Sequence, residues 1–474
     1  MLRGLYVGVA LTLALAACSL KTAPDRGALQ GENLPNMKLP AAWVEPAAPG
    51  AVQDNWVAAL GDQQLPALVA ESIKYNADLR LAVGRVEEAA AGVKASGAQL
   101  YPSVTLLGRS GGKVGGDASG VGGVIIPASW ELDLWGRVRY GQRAAEDRYA
   151  SAEADAAAAA QSVAALVAKA WFLAIEARLQ RDLAAEMVVS SRELARVAED
   201  RLRIGPGSAV EVAEAGASLQ TLLDTERQLD LALLQASRSL ELLLGRYPAA
   251  EIQAPSIFVA LPPTPAAGVP SELLERRPDV VAAQRRVDAA FNLVGQADAA
   301  RLPRLSLTAG LTYITSETFV LKDRSNPQVG LGASLFATLF DAGSLQAQAD
   351  IRRAEQKQAA AAWAQTGLKA FGEVEGALAT EVALREREPL LLAAVRQNDE
   401  ALGLEKTRYR IGSRDLRTVL TQQMALYSSR SALLRVQADQ HVNRVSLHVA
   451  LGGGFGEAPA LMSSPVATSG PAAQ

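Results

Sequence analysis

A tandem duplication constrains this chain more than any other feature. Arg201-Leu202-Arg203-Ile204-Gly205 returns as Arg408-Tyr409-Arg410-Ile411-Gly412, 207 positions later, and Leu244-Gly245 returns as Leu451-Gly452 at the same offset. Trp135-Gly136 pairs with Ala342-Gly343, again at 207. Upstream, Asp78 pairs with Asp279 and Leu100-Tyr101-Pro102 with Arg301-Leu302-Pro303, at 201. The second copy therefore carries an insertion of six residues between the two sets of anchors. Five anchors in one order predict two related structural units, not a set of unrelated domains.

Each copy contains the same parts in the same order. A leading helix of about 35 residues comes first, 65–100 or 272–302, closed by Pro102 or Pro303, because helices end near proline. Two strand-like runs follow. Leu305, Leu307, Ala309, Leu311 and Tyr313 alternate with Ser306, Thr308, Gly310 and Thr312, and Val329, Leu331, Ala333 and Leu335 alternate with Gly330, Gly332 and Ser334. That is the period-two pattern of a sheet with one apolar face. Residues 104–109 and 123–132 are weaker versions in the first copy, interrupted by Pro127 and glycines.

Next come segments 136–205 and 343–412, each spanning 69 positions and each read as one uninterrupted helix. At 1.5 Å per residue each is roughly 100 Å long. Such helices belong to a coiled coil or a tube. Glycines turn the chain at Gly205-Pro206-Gly207-Ser208 and Gly412-Ser413, and Ser208 with Glu211 fits a capping box. The return legs end 40 positions on, at Gly245 and Gly452. Leu219, Leu222, Leu229, Leu233, Leu240 and Leu243, with Glu226 and Ala236 in the remaining slots, form a coiled-coil seam. A leading leg plus a return leg roughly equals one long helix, so the short legs can stack end to end beside it.

Composition supports this. Aromatics are sparse, at 6 Trp, 9 Tyr and 8 Phe in 474 residues, while alanine fills runs such as 156–160 and 359–362. Small residues allow close helix approach. The net charge of −3 lacks the basic excess of a nucleic-acid binder. One cysteine and two histidines allow neither an internal disulfide nor a Cys/His zinc site. Cys18 stands where an apolar run, 5–15 behind Arg3, ends in Leu15-Ala16-Ala17-Cys18. The run is too short to span a bilayer. It resembles a bacterial lipoprotein signal, cleaved before a cysteine that is then acylated, and Ser19 in place of Asp points to the outer membrane. No later segment reads as a spanning helix; the most apolar, 163–175, is broken by Lys169. Four strands of about ten residues suit an outer-membrane barrel, but four cannot close, and lipid tolerates no open edge. Two copies give eight strands and a filled interior, three give twelve and room for a channel.

With these pieces the chain resembles the TolC-like outer-membrane efflux factors, in their lipoprotein (NodT-type) branch. The marks are Leu15-Ala16-Ala17-Cys18, Trp56 with Leu60-Gly61-Asp62-Gln63-Gln64-Leu65, Asn76-Ala77-Asp78-Leu79-Arg80, Tyr101-Pro102-Ser103 and Trp130-Glu131-Leu132-Asp133-Leu134-Trp135-Gly136-Arg137. The second copy adds Arg276-Arg277-Pro278-Asp279-Val280 and Leu339-Phe340-Asp341-Ala342-Gly343. The expected fold class is mainly α with membrane β: duplicated long helical hairpins forming an α-barrel, plus four strands contributed to a trimeric twelve-stranded β-barrel. The expected organisation is a signal peptide (1–17), an acylated extended segment (18–64), repeat 1 (65–249), a linker (250–270), repeat 2 (271–455) and a flexible tail (456–474).

The resemblance implies a homotrimer in the outer membrane. It would dock to a periplasmic adaptor (a membrane fusion protein) and an inner-membrane pump of the resistance–nodulation–division class. It implies a passive duct with no catalysis and no cofactor beyond the lipid on Cys18. Adaptor contacts are expected at the helical tips, at Arg201, Gly205, Arg408, Tyr409 and Gly412. The family's constriction, a hydrophobic and an acidic ring, falls five and nine positions after Gly412, at Arg417 and Thr421. This chain departs from that pattern, and a gate held by ion pairs of Arg417 with Asp415 or Glu211 is expected instead. The alternatives are a type I protein-secretion channel, a periplasmic adaptor lipoprotein, whose halves nest around one hairpin instead of repeating in tandem, and an acylated enzyme.

Three other signals are weaker. Gly108-Arg109-Ser110-Gly111-Gly112 fits a hydrolase G-x-S-x-G pattern but lies in a Gly-rich loop. Gly112-Lys113 lacks the leading glycine of a P-loop. His441 and His448, seven apart on a helix, read as packing or surface residues.

Overall fold

The computed structural model describes residues 20–109, 121–316 and 327–455. The signal peptide 1–17, Cys18, most of the G-x-S-x-G stretch, Gly112-Lys113 and the tail 456–474 lie outside the described residues.

Short helices α1 (Arg26–Asn33) and α2 (Trp56–Ala59) precede the first repeat. That repeat then runs α3 (Leu65–Tyr75), α4 (Ala77–Ala98), β1 (Ser103–Val104), β2 (Leu107–Arg109), β3 (Val121–Leu132), α5 (Arg137–Ile204) and α6 (Ala209–Leu243). The second runs α7 (Pro270–Arg276), α8 (Pro278–Ala299), β4 (Arg304–Ser316), β5 (Gln328–Phe336), α9 (Ser344–Arg410) and α10 (Leu416–Ala450). The duplication, the long helices and the strands are as read from the sequence.

Two expectations need correction, and a third holds in spite of a breaker. Each leading leg is two helices, not one. Asn76 stops α3 and caps α4, its Oδ1 accepting from the Asp78 and Leu79 N–H groups at 2.9 and 3.3 Å. Pro278 forces the same break, holding Arg277 in extended backbone between α7 and α8. The second long helix carries Pro389 inside it and continues regardless, leaving the Arg385 carbonyl without its usual donor. Finally, an apolar stretch of α5 is long and apolar enough to cross a membrane, contrary to the sequence reading. More than half of it is buried against its neighbours, where Trp171, Phe172 and Ile175 are fully enclosed.

The helices form one layer. In the half nearer the strands α5 packs between α4 and α8, and α8 against α9. In the other half α5 packs between α6 and α10, and α10 against α9. The short legs do meet end to end. Asn76 Nδ2 and Ser72 Oγ donate to the Leu243 carbonyl that ends α6, at 3.0 and 2.8 Å. Arg277, 201 positions after Asn76, donates to the carbonyl of Ala450, 207 after Leu243, at 3.3 Å. The two junctions are the same joint made with different side chains. The predicted seam of α6 faces inward: Leu222 and Leu240 are buried and none of its other members is exposed.

The long helices start on aspartates. Asp133 accepts from the Val138 and Arg139 N–H groups, and Asp341 from those of Gly343 and Leu345, each near the positive end of a helix. A strap before α3 ties the upper half together. Leu20 lies over Gly136 so closely that a side chain there would overlap it, and the Lys21 N–H donates to Tyr140 Oη at 2.9 Å. Further along, Arg26 pairs with Glu275, Trp43 donates to the Ala267 carbonyl and Asn55 donates to that of Gly454.

Candidate functional site: open sheet, open helical edges and tip

The strands make one antiparallel sheet in the order β1/β2–β3–β4–β5, with β1 and β2 sharing a single register along β3. The β3–β4 ladder joins the two repeats, pairing Val124 with Tyr313, Ile126 with Leu311 and Trp130 with Leu307. The β4–β5 ladder extends the same face through Val329, Leu331 and Leu335. The opposite face carries Ser129, Glu131, Ser306, Thr308 and Ser334, together with Ile125. Among the described strand residues none is buried, and the residues of β5 are all exposed. Strands of 12, 13 and 9 residues match the span of a tilted bilayer strand.

Trp130 and Trp135 mark the lower rim, donating to the carbonyls of Leu100 and Pro303 at 2.8 and 2.7 Å. Exposed Leu339 and Phe340 sit at the same rim. Such a belt fits a membrane–water boundary.

The sheet has free edges at β1/β2 and at β5. The helical layer is open as well. At one side α9 exposes Ile351, Leu368, Leu390 and Leu404. At the other, α4 and α6 expose Leu81, Val210, Leu231 and Leu242. Two different unpartnered sides on one chain make a head-to-tail contact, which closes into a ring when the rotation permits.

The far end of the layer is the tip. Gly205 (φ +108°) and Gly412 (φ +79°) turn the chain with open space around each. Ser208 Oγ accepts from the Glu211 N–H at 3.2 Å and Glu211 reaches back to the Ser208 N–H, so the capping box is present. Asp415 accepts from the Arg417 N–H at 3.2 Å. Both carboxylates expected to pair with the Arg417 side chain cap their helices, and Asp415 acts on Arg417 through its charge without a direct side-chain contact. The direct partner of Arg417 is Glu214 on α6: Nε donates to Oε1 at 3.2 Å, with a shorter contact from Nη2. Thr421 donates to the Arg417 carbonyl one turn along.

Tyr409 is also a correction. Expected at the adaptor surface, it is 1% exposed. The Arg201 guanidinium lies over its ring at 4.6 Å and Nη1 donates to its carbonyl at 2.6 Å. These two residues clamp the first hairpin to the second. Arg408 remains at the surface, paired with Glu405 at 3.2 Å.

Polar groups buried at mid-height escaped sequence reasoning. Arg444 and Glu381, 1% and 6% exposed, form an ion pair, and Arg444 also donates to the carbonyls of Pro262 and Pro263 in the linker. His441 is stacked between Phe172 and Phe258 at 4.5 and 5.2 Å, and His448 on Trp56 at 6.1 Å. Burial, with Arg444 nearby, pushes both imidazoles down to about 4, so they are neutral packing groups. Burial and the Asp147 carboxylate raise Asp288 to about 6. The signal available was polar residues on otherwise apolar helix faces; their partners lie far off in sequence.

A profile of the outer membrane efflux protein family matches residues 68–246 and 269–453. The chain belongs to that family. It is 31% identical over 475 residues to the outer membrane protein OprJ of Pseudomonas aeruginosa, covering 95% of this chain and 96% of OprJ. Against the cation efflux system protein CusC of Escherichia coli identity is 29% over 462 residues, covering 94% and 97%. The solved outer-membrane channel OprN superposes with a TM-score of 0.80 at 26% identity, over 92% of this chain and 99% of that one. A CusC structure gives 0.78 at 26%, over 91% and 99%. The protein is thus an outer-membrane efflux channel component with a helical part in the periplasm, the class expected from its motifs.

Proposed function

We propose that three copies form one passive exit duct, in which an inner-membrane pump and a periplasmic adaptor supply drive and cargo. The observation that carries this reading is the pair of open edges. Four strands with both faces uncovered have no stable form alone in water or lipid. Three copies give a twelve-stranded barrel, apolar outside and small-polar inside, and extend the helical layer into a tube. The sheet is passed on its inner side by water-borne solute, and nothing is bound or transformed.

Cys18 carries the lipid anchor. Leu20, the first described residue, rests on Gly136 at the rim where β3 passes into α5, which supports an anchor on this side of the chain. The adaptor meets the tips through Gly205, Gly412, Arg408 and the exposed edge of Arg201, while buried Tyr409 shapes that surface from beneath. Arg417 and Thr421 lie at the narrow periplasmic entrance. Relatives bear the names of a cation system, a pyoverdine exporter and an antibiotic pump. That spread fits a duct whose pump selects the cargo.

Bulky substitutions at Gly205 and Gly412 test this reading. A Gly205→Trp, Gly412→Trp channel should reach the outer membrane as a trimer yet fail to restore export in cells lacking the native chain. Full restoration would rule out tip docking.

A further inference from the structure

The internal repeat and the tip geometry together reveal a property of the entrance that neither shows alone. At the offset of 207, Val210 corresponds to Arg417 and Glu214 to Thr421. Five and nine positions after its glycine, the first hairpin thus carries an apolar and an acidic residue, and the second carries a cation and a neutral hydroxyl. The structure brings the two odd members together, since Arg417 on α10 is bound to Glu214 on α6.

The surrounding charges have contacts of their own, and Asp415 also acts on Arg417 through its charge. Asp415 and Glu211 cap α10 and α6. Arg201 is held by Tyr409. Arg203 pairs with Asp200, Arg410 with Glu193, and Arg408 and Arg414 both with Glu405. The Arg417 side chain is 72% exposed while Glu214 is 27% exposed, so the cation stands in front of its carboxylate.

We propose that the Arg417–Glu214 pair sets the charge selectivity of the periplasmic entrance, making it electrically balanced. Three copies contribute three cations and three anions at one level. A ring of three unmatched like charges would attract one sign of solute and repel the other, because narrow, low-dielectric walls focus the field. Pairing cancels that field, so organic cations and anions meet the entrance on equal terms. This rests on the reading of the tip as the narrow point of the duct.

The test is reversal potential in planar bilayers under a KCl gradient, on trimers verified by unheated gel mobility. The native channel should show a K⁺/Cl⁻ permeability ratio within about twofold of unity. Arg417→Gln should shift it at least about fivefold toward K⁺, and Glu214→Gln by a similar factor toward Cl⁻. The charge-swapped Arg417→Glu, Glu214→Arg channel should return to near unity. Strong selectivity in the native channel would overturn the proposal.

Thr421→Cys, modified by a bulky thiol reagent, separates the two levels of inference. Reduced current there with an unchanged ratio in both Gln variants keeps the entrance but rejects the balancing pair. No change in any of these channels rejects both.

Discussion

Replacing Glu381 by Gln should be among the most damaging single changes in the helical part. The substitution keeps volume and an acceptor but removes the charge that Arg444 faces. Arg444 is 1% exposed, and its remaining partners are two proline carbonyls. Its Nε already lacks a partner. Breaking a buried pair by neutralising one member costs about 3–5 kcal/mol, whereas exchanging both members for apolar residues of like size is near neutral. The Asn443 side-chain amide, which donates to Glu381 Oε2 at 3.2 Å, loses its carboxylate acceptor when an amide NH2 takes that place. A cycle of Glu381→Leu, Arg444→Met and Glu381→Leu/Arg444→Met, run beside Glu381→Gln, measures this, with urea midpoints read by tryptophan fluorescence on detergent-solubilised trimers. The single variants should lie well below native protein, and the double variant should recover at least about half of the summed loss. Proteolysis should then find the linker between residues 250 and 270 in the singles first. Strictly additive losses, or a Glu381→Gln midpoint equal to native, would refute the reasoning.

Asp288→Asn should stabilise the protein at pH 7.5. The folded pKa near 6 lies above the unfolded value of 3.8, so native protein gains stability as pH falls through 6 toward 4, on the order of 2–3 kcal/mol, and the variant should lose that slope in thermal midpoints. His448→Phe should act with the opposite sign. The folded pKa near 4 lies below 6.5, so the buried neutral ring contributes stability above pH 6.5 that is lost as pH falls toward 4, and the phenylalanine variant should be the less acid-sensitive in the same scan. Gly245→Ala should cost about 2 kcal/mol or more and Gly205→Ala about 1, by urea midpoint. Both have positive φ, but only at Gly245 would a Cβ meet backbone, 2.8 Å from the Tyr75 carbonyl oxygen.

The long helices and the strands were legible because they are written as periodicity, and the repeat because sixty-nine-residue elements leave little room for alternative order. The capping box at Ser208 and Glu211 was legible for a similar reason, since both partners lie within one turn. The breaks at Asn76 and Pro278 were missed because hydrophobic pattern continues across them, while capping and proline sterics decide locally. Pro389 shows the converse, a breaker on an exposed face of a helix that runs on past it. Tyr409 and Arg417 were misjudged in a different way. Position along the tip predicted exposure and partners, but Arg201 and Glu214 arrive from the other hairpin, about two hundred positions away. The ion pair under the linker was invisible for the same reason.

The central claim is that one chain is a third of a closed duct. The mass of the detergent-solubilised particle, by size exclusion with light scattering corrected for detergent, tests it most directly. The account predicts three copies of a chain whose full length has a mass of 49.7 kDa, less its signal peptide. A homogeneous monomer or dimer that still conducts ions in a bilayer would contradict it.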